Sequence, residues 1–214
     1  MLACGRYKET KEVFSDHQRF VSSRGVGIQD FKLEKPWRPP SLVLEVDPPK
    51  HTRNRRFLTK ALSPNKIAQL KDFFKNCADE LINELLQRKE IDGILDLAEI
   101  FPTRVFPEAV GLKKIDKETL LGYGAMVFNA LGPDNEFRKD AMAKGLSVLE
   151  KINKQCLEEN IDTKGLAKEI YRSTAENLEE DELAGMLVRS LLSAGIDTTV
   201  SAIGNLLWCF AKNP

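Results

Sequence analysis

Residues that could bind a small polar molecule and deliver protons to it are concentrated between Ala194 and Thr198. Gly195 lacks a side chain, so a flat ligand could approach the backbone closely. Asp197 places a titratable carboxyl beside the hydroxyl of Thr198. That hydroxyl can donate to the carbonyl of Ala194, four residues earlier, which loosens a helix locally. The stretch therefore predicts a binding groove with proton delivery. The alternative is a glycine kink whose polar residues face another helix.

These residues interrupt a long apolar helix predicted over residues 177–212. Apolar residues cover most of its circumference, which predicts burial in a large core. The six residues from Ala194 to Thr199 include Gly, Asp and two Thr, which together cost about 2–3 kcal/mol of helix propensity. A break of this kind inside a strong helix is typical of a functional position. Charged residues inside the helix argue against a membrane span.

A second group of chemically capable residues lies on a helix predicted over residues 47–62, which starts with an aspartate and two prolines. At helical spacing His51 and Arg55 share one face, whereas Arg53 and Arg56 share another. The first face suits a flat apolar ring that carries carboxylates, because a guanidinium matches a carboxylate in shape. The second face is a basic patch, for which the alternative is an ordinary solvated surface.

The amino-acid composition limits the classes of protein to which this chain could belong. The 214-residue chain is 42% hydrophobic and 30% charged, with a net charge of +0, which suits a soluble globular protein. Zero net charge argues against nucleic acid as a partner. No stretch resembles a signal peptide or membrane anchor, so a cytoplasmic location is expected. The four cysteines are scattered singly, without metal-ligand spacing. No metal site is expected, and Cys77, Cys156 and Cys209 are expected to be buried or half-buried thiols.

The rest of the chain predicts helices and one long loop. The loop, over residues 24–44, lacks periodicity and contains several glycines and prolines. A loop of that length is usually functional. Between residues 95 and 112, Pro102 and Pro107 predict a short strand or turn and then an interrupted helix. Further helices are predicted over residues 7–20, 63–86, 117–131 and 135–160.

The segment Ala194–Thr199 resembles the oxygen-binding segment of the cytochrome P-450 family, the haem-thiolate monooxygenases. Residues 47–56 independently resemble the start of the family's helix C, especially in soluble bacterial members. The resemblance implies a mainly α cytochrome P-450 fold, partial, from helix B to helix I. It implies a single partial domain, residues 1–214, with a helix B region (1–23), a B–C loop (24–46), helix C (47–62), helices D to H (63–176) and the oxygen-binding helix I (177–212).

The resemblance also implies a haem cofactor and roles for individual residues. In the family, the equivalent acid and hydroxyl deliver protons during catalysis, and the equivalent His and Arg hold a haem propionate. The predicted catalytic residues are Asp197 and Thr198. The predicted haem contacts are His51, Arg55, Ala194 and Gly195. The basic face in the family docks an acidic, ferredoxin-type electron donor, and the corresponding residues are Arg53 and Arg56.

A substrate site is predicted beside the helix break. Ser190 and Ser193 share the face of Asp197, and Arg189 lies at its edge. A charge inside an apolar helix needs a counter-charge, and these groups are predicted to receive the carboxylate of a small organic acid. This resembles family members that oxidise para-substituted benzoates. The alternatives are that Arg189 reaches solvent or pairs with an acid on another helix. The predicted contacts are Arg24, Phe128, Leu131, Arg189, Ser190 and Ser193.

The chain departs from the family pattern in the length it covers and in the context of its cysteines. The resemblance covers nearly all of this chain but about half of such an enzyme, and none of the four cysteines has the context of the iron ligand. The sequence Glu169-Ile-Tyr-Arg172 matches the family's Glu-x-x-Arg but precedes the oxygen-binding helix, so it is interpreted as coincidence. A truncated, inactive fragment is therefore expected. The competing class is a non-catalytic all-α binding or interaction module.

Overall fold

A computed structural model describes residues 3–113, 115–177 and 181–213, whose regular secondary structure is helical. A π-helix, Gly93–Ala98, precedes the fourth α-helix. The described residues contain no β-strand, only an isolated bridge between Leu112 and Ile161. This confirms the predicted mainly α class. The α-helices are α1 (Tyr7–Ser15), α2 (Lys50–Ala61), α3 (Pro64–Leu86), α4 (Ile100–Val110), α5 (Lys117–Ala130), α6 (Glu136–Gln155), α7 (Leu166–Ala175), α8 (Asp181–Gly195) and α9 (Asp197–Lys212).

The chain separates into two compact units, residues 1–56 and 57–214. In the first, the long loop before α2 is fixed by buried polar groups. Arg38 donates to the almost fully buried carboxylate of Glu45 at 2.8 Å. Asn54 on α2 is fully buried and donates to the carbonyl of Leu42 at 2.8 Å. Because a buried polar group is costly without a partner, these contacts hold the loop in one conformation.

The second unit has its core among α4 to α8. Helix α8 packs against α4, α5, α6 and α7. Its apolar side chains supply much of that core, as predicted for this half of the long helix. The fully buried members are Ala184, Leu187, Val188 and Leu192.

Several element boundaries follow the predictions and others do not. Helix α3 begins at Pro64 after Ser63 and ends at Leu86, as predicted. The predicted interruption at Pro102 and Pro107 is wrong, because α4 runs through both. Pro102 lies in the first turn, where its missing N–H removes no helical bond. The strand or turn expected near residue 95 is the π-helix. Helices α1 and α6 end at Ser15 and Gln155, earlier than predicted.

Helix α9 departs most from the prediction of burial in a large core. It contains no buried residue within the described chain. Leu206, Trp208 and Phe210 are 55%, 63% and 69% exposed, and Cys209, expected to be at least half-buried, is exposed. By length and composition alone, the span Glu182–Lys212 could cross a membrane, and core helices pass the same test. The break at Ile196 and the buried Arg189 within that span favour a core helix.

The exposed side chains of α9 predict binding of apolar dyes, because contiguous apolar patches mark interaction surfaces. Replacing Trp208 and Phe210 together with serine should lower the fluorescence of bound anilinonaphthalene sulfonate severalfold. Phe137→Ser is the matched control, since Phe137 is 74% exposed on α6. Equal losses in the control and the double variant would contradict an apolar surface centred on α9.

Candidate functional site

The long helix is broken at Ile196, between α8 and α9. The Ile196 side chain is 1% exposed and anchors the break in the core. Thr198 Oγ1 donates to the carbonyl of Ala194 at 2.6 Å, the hydrogen bond predicted from the sequence. Thr199 Oγ1 makes the equivalent bond to Gly195 at 2.9 Å. Hydroxyls thus bond two carbonyls beside the bend, and Thr198 is exposed there.

Gly195 is needed for a reason other than the predicted one. A Cβ atom built on Gly195 would collide with the ring of Phe106 on α4. The missing side chain therefore makes room for the ring of Phe106. Ala194 is exposed. Contact of the haem with the backbone of Ala194 and Gly195 stays a prediction.

The carboxyl of Asp197 is half-buried at the first turn of α9. It lies against Gly124 of α5, where an added Cβ would be 3.4 Å from Asp197 Oδ1. Burial raises the pKa of Asp197, and among the described residues its side chain has no hydrogen-bond or ion-pair partner. A carboxyl of raised pKa next to an exposed hydroxyl is a suitable proton carrier.

Asp197→Asn should stabilise the folded chain at neutral pH and have a smaller effect in acid. Because burial raises the folded-state pKa of Asp197 above its unfolded value, the ionised carboxylate destabilises the folded state. That destabilisation is absent below the unfolded pKa and grows as pH rises through the folded pKa. Urea midpoints at pH 4 and pH 7.5 measure it. Asp140→Asn, at an exposed position of α6, is the control. A midpoint unchanged by Asp197→Asn at pH 7.5 would refute this account.

His51 and Arg55 lie four residues apart on α2, with His51 half-buried and Arg55 exposed. Both belong to the first compact unit, whereas Asp197 and Thr198 belong to the second. The Asp47 carboxylate accepts from the backbone N–H of Ser22 at 2.8 Å. A hydrogen bond from Ser23 helps to lower the pKa of Asp47. Asp47 therefore ties the loop to the start of α2, which carries both predicted anchors.

Arg189 is buried and faces α6. It is 7% exposed, and its Nη1 donates to Asn153 Oδ1 at 2.8 Å. Asn153 is in the last turn of α6, where the negative end of the helix dipole favours a cation. Both expected alternatives, solvent and an acidic partner, are therefore wrong. In this structure the guanidinium of Arg189 is bound to α6. That contact gives no support to a role for Arg189 in substrate binding.

The other predicted polar contacts also have partners within the chain. Arg24 forms an ion pair with Asp30, and its Nε donates at 2.9 Å. Ser190 Oγ donates to the carbonyl of Met186 and Ser193 Oγ to that of Ser190, both at 3.0 Å. A carboxylate that bound any of these groups would have to displace its bond. Of the two apolar contacts, Phe128 is 39% exposed and Leu131 is half-buried.

Two of the grooves among the described residues of the second unit are not lined by the predicted substrate contacts. One, of about 580 Å³, lies between the π-helix and α9, beside Ile94 and Trp208. The other, of about 360 Å³, lies between α5 and α6, beside Gly122 and Phe137. The substrate site predicted from the sequence therefore does not coincide with either groove.

The four cysteines are free thiols, and their burial decides how readily each could bind a metal or haem iron. Burial raises the pKa of Cys156 to about 12, and burial also raises that of Cys77. Such thiols resist forming the thiolate that binds a metal. Cys4 and Cys209 are exposed. In the described part of the chain no group of three or more potential ligands is assembled. A haem bound at its propionates by this chain, without an iron ligand from it, stays a prediction.

Comparison with known proteins identifies the class. Residues 1–109 match the sequence model of the cytochrome P450 family. Cytochrome p450 CYP199A2 of Rhodopseudomonas palustris is 48% identical over 98% of this chain and 51% of its own length. Cytochrome P450 107B1 of Saccharopolyspora erythraea is 30% identical over 80% of this chain and 42% of its own. The chain belongs to the cytochrome P450 family, and it spans about half the length of these curated relatives.

Solved cytochrome P450 structures share the fold of this chain. OxyE, a cytochrome P450 involved in teicoplanin biosynthesis, aligns over 91% of this chain and 49% of its own, with a TM-score of 0.66 and 20% identity. CYP109E1 from Bacillus megaterium, in complex with testosterone, aligns over 84% of this chain and 49% of its own, with a TM-score of 0.64 and 20% identity. At this identity the likeness concerns the fold alone.

Sequence reasoning missed three residues at or near the site. Phe106 fills the space beside Gly195, Gly124 covers Asp197, and Asn153 binds Arg189. Phe106 and Gly124 resemble ordinary core residues in the sequence. The one available signal was the position of Arg189 inside an otherwise apolar helix, which required a partner of some kind.

Proposed function

We propose that this chain contributes the proton-delivery groups and cofactor anchors of a haem-dependent monooxygenase that inserts one oxygen atom of O2 into a small organic substrate. The supporting observation is the break at Ile196, where the carboxyl of Asp197 and the exposed hydroxyl of Thr198 adjoin. Membership of the family adds the cofactor class. When bound, a thiolate-ligated haem supplies oxygen activation, because the thiolate favours O–O cleavage.

The chain's own residues have distinct tasks in this proposal. Asp197, whose pKa is raised by burial, holds a proton and passes it toward the substrate side of the break. Thr198, whose hydroxyl donates to the carbonyl of Ala194, would exchange that bond to take part in the transfer. His51 and Arg55 would bind the propionates from α2, since a charged hydrogen bond to a carboxylate is roughly twice as strong as a neutral one.

The partner in this proposal is a ferredoxin-type electron donor in the cytoplasm. Arg53 and Arg56 on α2 are exposed, and an acidic protein would be attracted to them. Arg53 also donates to Asn54 Oδ1 at 3.2 Å, which holds its side chain along the helix. Salt dependence of electron-transfer rates would measure this attraction.

For the substrate we propose an aromatic carboxylic acid. The support is the polar side of α8 that Ser190 and Ser193 form before the break. Their hydroxyls donate to carbonyls of their own helix, and rotation about one bond would release them to a carboxylate. Arg24 and Arg189 would each have to exchange a partner, Asp30 or Asn153, to take part.

The deciding experiment uses a chimera that joins this chain to the part of the Rhodopseudomonas palustris relative that it does not cover. After reduction and addition of carbon monoxide, the expected result is a strongly red-shifted, thiolate-type Soret band. The 214-residue chain with added haem should lack that band, because its cysteines do not suit the iron. A chimera that binds no haem would overturn the enzyme proposal.

The substrate class is tested in the same chimera by spin-state titration. We expect 4-methoxybenzoate to bind at least about tenfold more tightly than its methyl ester or an uncharged terpene, since a hydrogen bond to a charged group contributes about 1.5–3 kcal/mol. Ser190→Ala should weaken acid binding, and Ser147→Ala, at an exposed position of α6, should not. Equal binding of acid and ester would refute the proposal that the substrate is a carboxylic acid. It would not contradict the monooxygenase proposal.

A non-catalytic binding module is the second candidate function. The observation that favours it is the exposed apolar surface of α9, where Trp208 is 63% and Phe210 is 69% exposed. Absence of a thiolate-type spectrum in the chimera, together with capture of an apolar ligand by the chain alone, would favour the module.

A further inference from the structure

A groove on the surface of the second unit runs between α5 and α6, with a volume of about 360 Å³. Gly122 of α5 lies beside Val148 of α6, and Met126 of α5 lies beside Gly145 of α6, so the two helices run antiparallel. The groove residues of α6 recur every three or four positions and therefore share one face of that helix. These residues are Phe137, Asp140, Ala141, Lys144 and Val148.

This face of α6, the Phe137 face, carries an exposed aromatic ring and charges of both signs. Phe137 is 74% exposed, and Asp140 and Lys144 are exposed. Within the described chain, neither Asp140 nor Lys144 has a side-chain hydrogen bond or ion pair. Arg138, which lies outside this face, pairs with Asp134 at 3.4 Å. An exposed aromatic ring beside unpaired charges on one helix face indicates an interaction surface.

We propose that the Phe137 face binds the Phe137 face of a second copy of the chain, with the two α6 helices antiparallel and related by a twofold axis. An axis midway between Asp140 and Lys144 places Asp140 of each copy opposite Lys144 of the other. The contact then contains two opposite-charge pairs. It uses the same patch on both copies, as twofold symmetry requires.

The same register also matches the shapes of the two surfaces. Ala141 lies next to the midpoint, and its small side chain allows the two α6 helices to approach closely. Phe137 precedes the charged pair by about one helical turn, so it meets the other copy about one turn after the charged pair, next to Val148. There the groove is open because Gly122 of α5 has no side chain. One register therefore provides both the charge pairs and a position for the exposed ring.

Long-range electrostatics do not oppose this association. The net charge of the chain is +0, so two copies do not repel each other at a distance. Antiparallel helices also bring the opposite ends of their dipoles together. A contact confined to one face of α6 and the adjoining groove is small, and small interfaces are weak and transient. We therefore expect a reversible dimer that forms at high concentration and dissociates on dilution.

The test is an exchange of charges followed by sedimentation velocity of the 214-residue chain over a range of concentrations. Asp140→Lys alone and Lys144→Asp alone each place like charges opposite one another twice, so each should weaken dimerisation at least about tenfold. The variant that carries both substitutions regains the opposite-charge pairs and should dimerise as the parent does. Lys139→Asp, at an exposed position of α6 outside the Phe137 face, is the matched charge reversal and should have little effect.

Two further variants locate the contact. Phe137→Ser should weaken dimerisation by a similar factor. Trp208→Ser with Phe210→Ser, which removes exposed rings from α9, should leave it unchanged. A chain that is monomeric at every concentration, or a double charge variant that does not recover the dimer, would overturn the inference. So would association lost only in the α9 variant, because the contact would then lie on α9. Sedimentation requires no haem and no catalysis, so its outcome is independent of the monooxygenase proposal.

Discussion

Thr198→Ala should divert most of the electrons consumed by the chimera into hydrogen peroxide, while substrate binding changes little. Thr198 Oγ1 donates to Ala194 at the break, 2.6 Å away, and is the exposed hydroxyl next to the Asp197 carboxyl. Without it, the path from that carboxyl to the substrate side loses its last proton donor. Positioned proton transfer contributes about 10²–10⁴-fold, so product per cofactor consumed should fall about tenfold or more. The measurement compares cofactor oxidised, peroxide released and product formed.

Thr199 provides the matched control for this prediction. Its hydroxyl makes the same type of bond, to Gly195 at 2.9 Å, so Thr199→Ala removes an equal group from the same bend. Thr199→Ala should remain coupled, and Thr198→Ser should restore coupling by keeping a hydroxyl. Tight coupling in Thr198→Ala, or equal uncoupling in both alanine variants, would show that the hydroxyl of Thr198 has no special role.

The break itself could be predicted because its causes are local. Gly, Asp and Thr within one turn oppose a helix wherever it is placed, and a threonine hydroxyl reaches a carbonyl four residues earlier without help from another element. The start of α3 was predictable for the same reason, since Ser63 and Pro64 form a start signal by themselves. Local chemistry therefore located both the break that carries Asp197 and Thr198 and the start of α3.

Contacts distant in sequence could not be predicted. Phe106 beside Gly195 and Gly124 beside Asp197 come from separate helices, and no periodicity in one helix reports which residue of another will meet it. For Arg189 the prediction of a partner was correct and the predicted type of partner was wrong. The rule that a buried charge needs compensation holds, yet an amide and the end of α6 supply it instead of a carboxylate.

The exposure of α9 has a related cause. Its apolar pattern predicts the capacity to be buried, and burial also requires a second surface to cover it. Within the described chain, α9 packs mainly against the π-helix, where Leu207 lies beside Gly93 and Ile94 beside Gly204. The side chains on its other sides, including Leu206 and Phe210, remain exposed. Sequence periodicity therefore identified the helix correctly and overestimated its burial.

Gly195→Ala should destabilise the 214-residue chain strongly, although alanine is the better helix former. A methyl group at this position would overlap the ring of Phe106, and overpacking of a well-packed site costs about 1–3 kcal/mol. That cost exceeds the gain in helix propensity, which is about 1 kcal/mol. We therefore expect a lower urea midpoint, with a loss of up to about 2 kcal/mol in the free energy of unfolding.

A second substitution separates this steric explanation from a general intolerance of the break. Phe106→Leu removes the part of the ring that meets Gly195, so Gly195→Ala in that background should be neutral or slightly stabilising. The double-mutant cycle should give a coupling energy of about 1 kcal/mol or more, as contacting residues do. Gly122→Ala, which meets only Val148 at 3.7 Å, should stabilise the chain and so exclude an unrelated effect of alanine. Additive effects of Phe106→Leu and Gly195→Ala would mean that the ring does not require the glycine, and room for a ligand would again be the better explanation of Gly195.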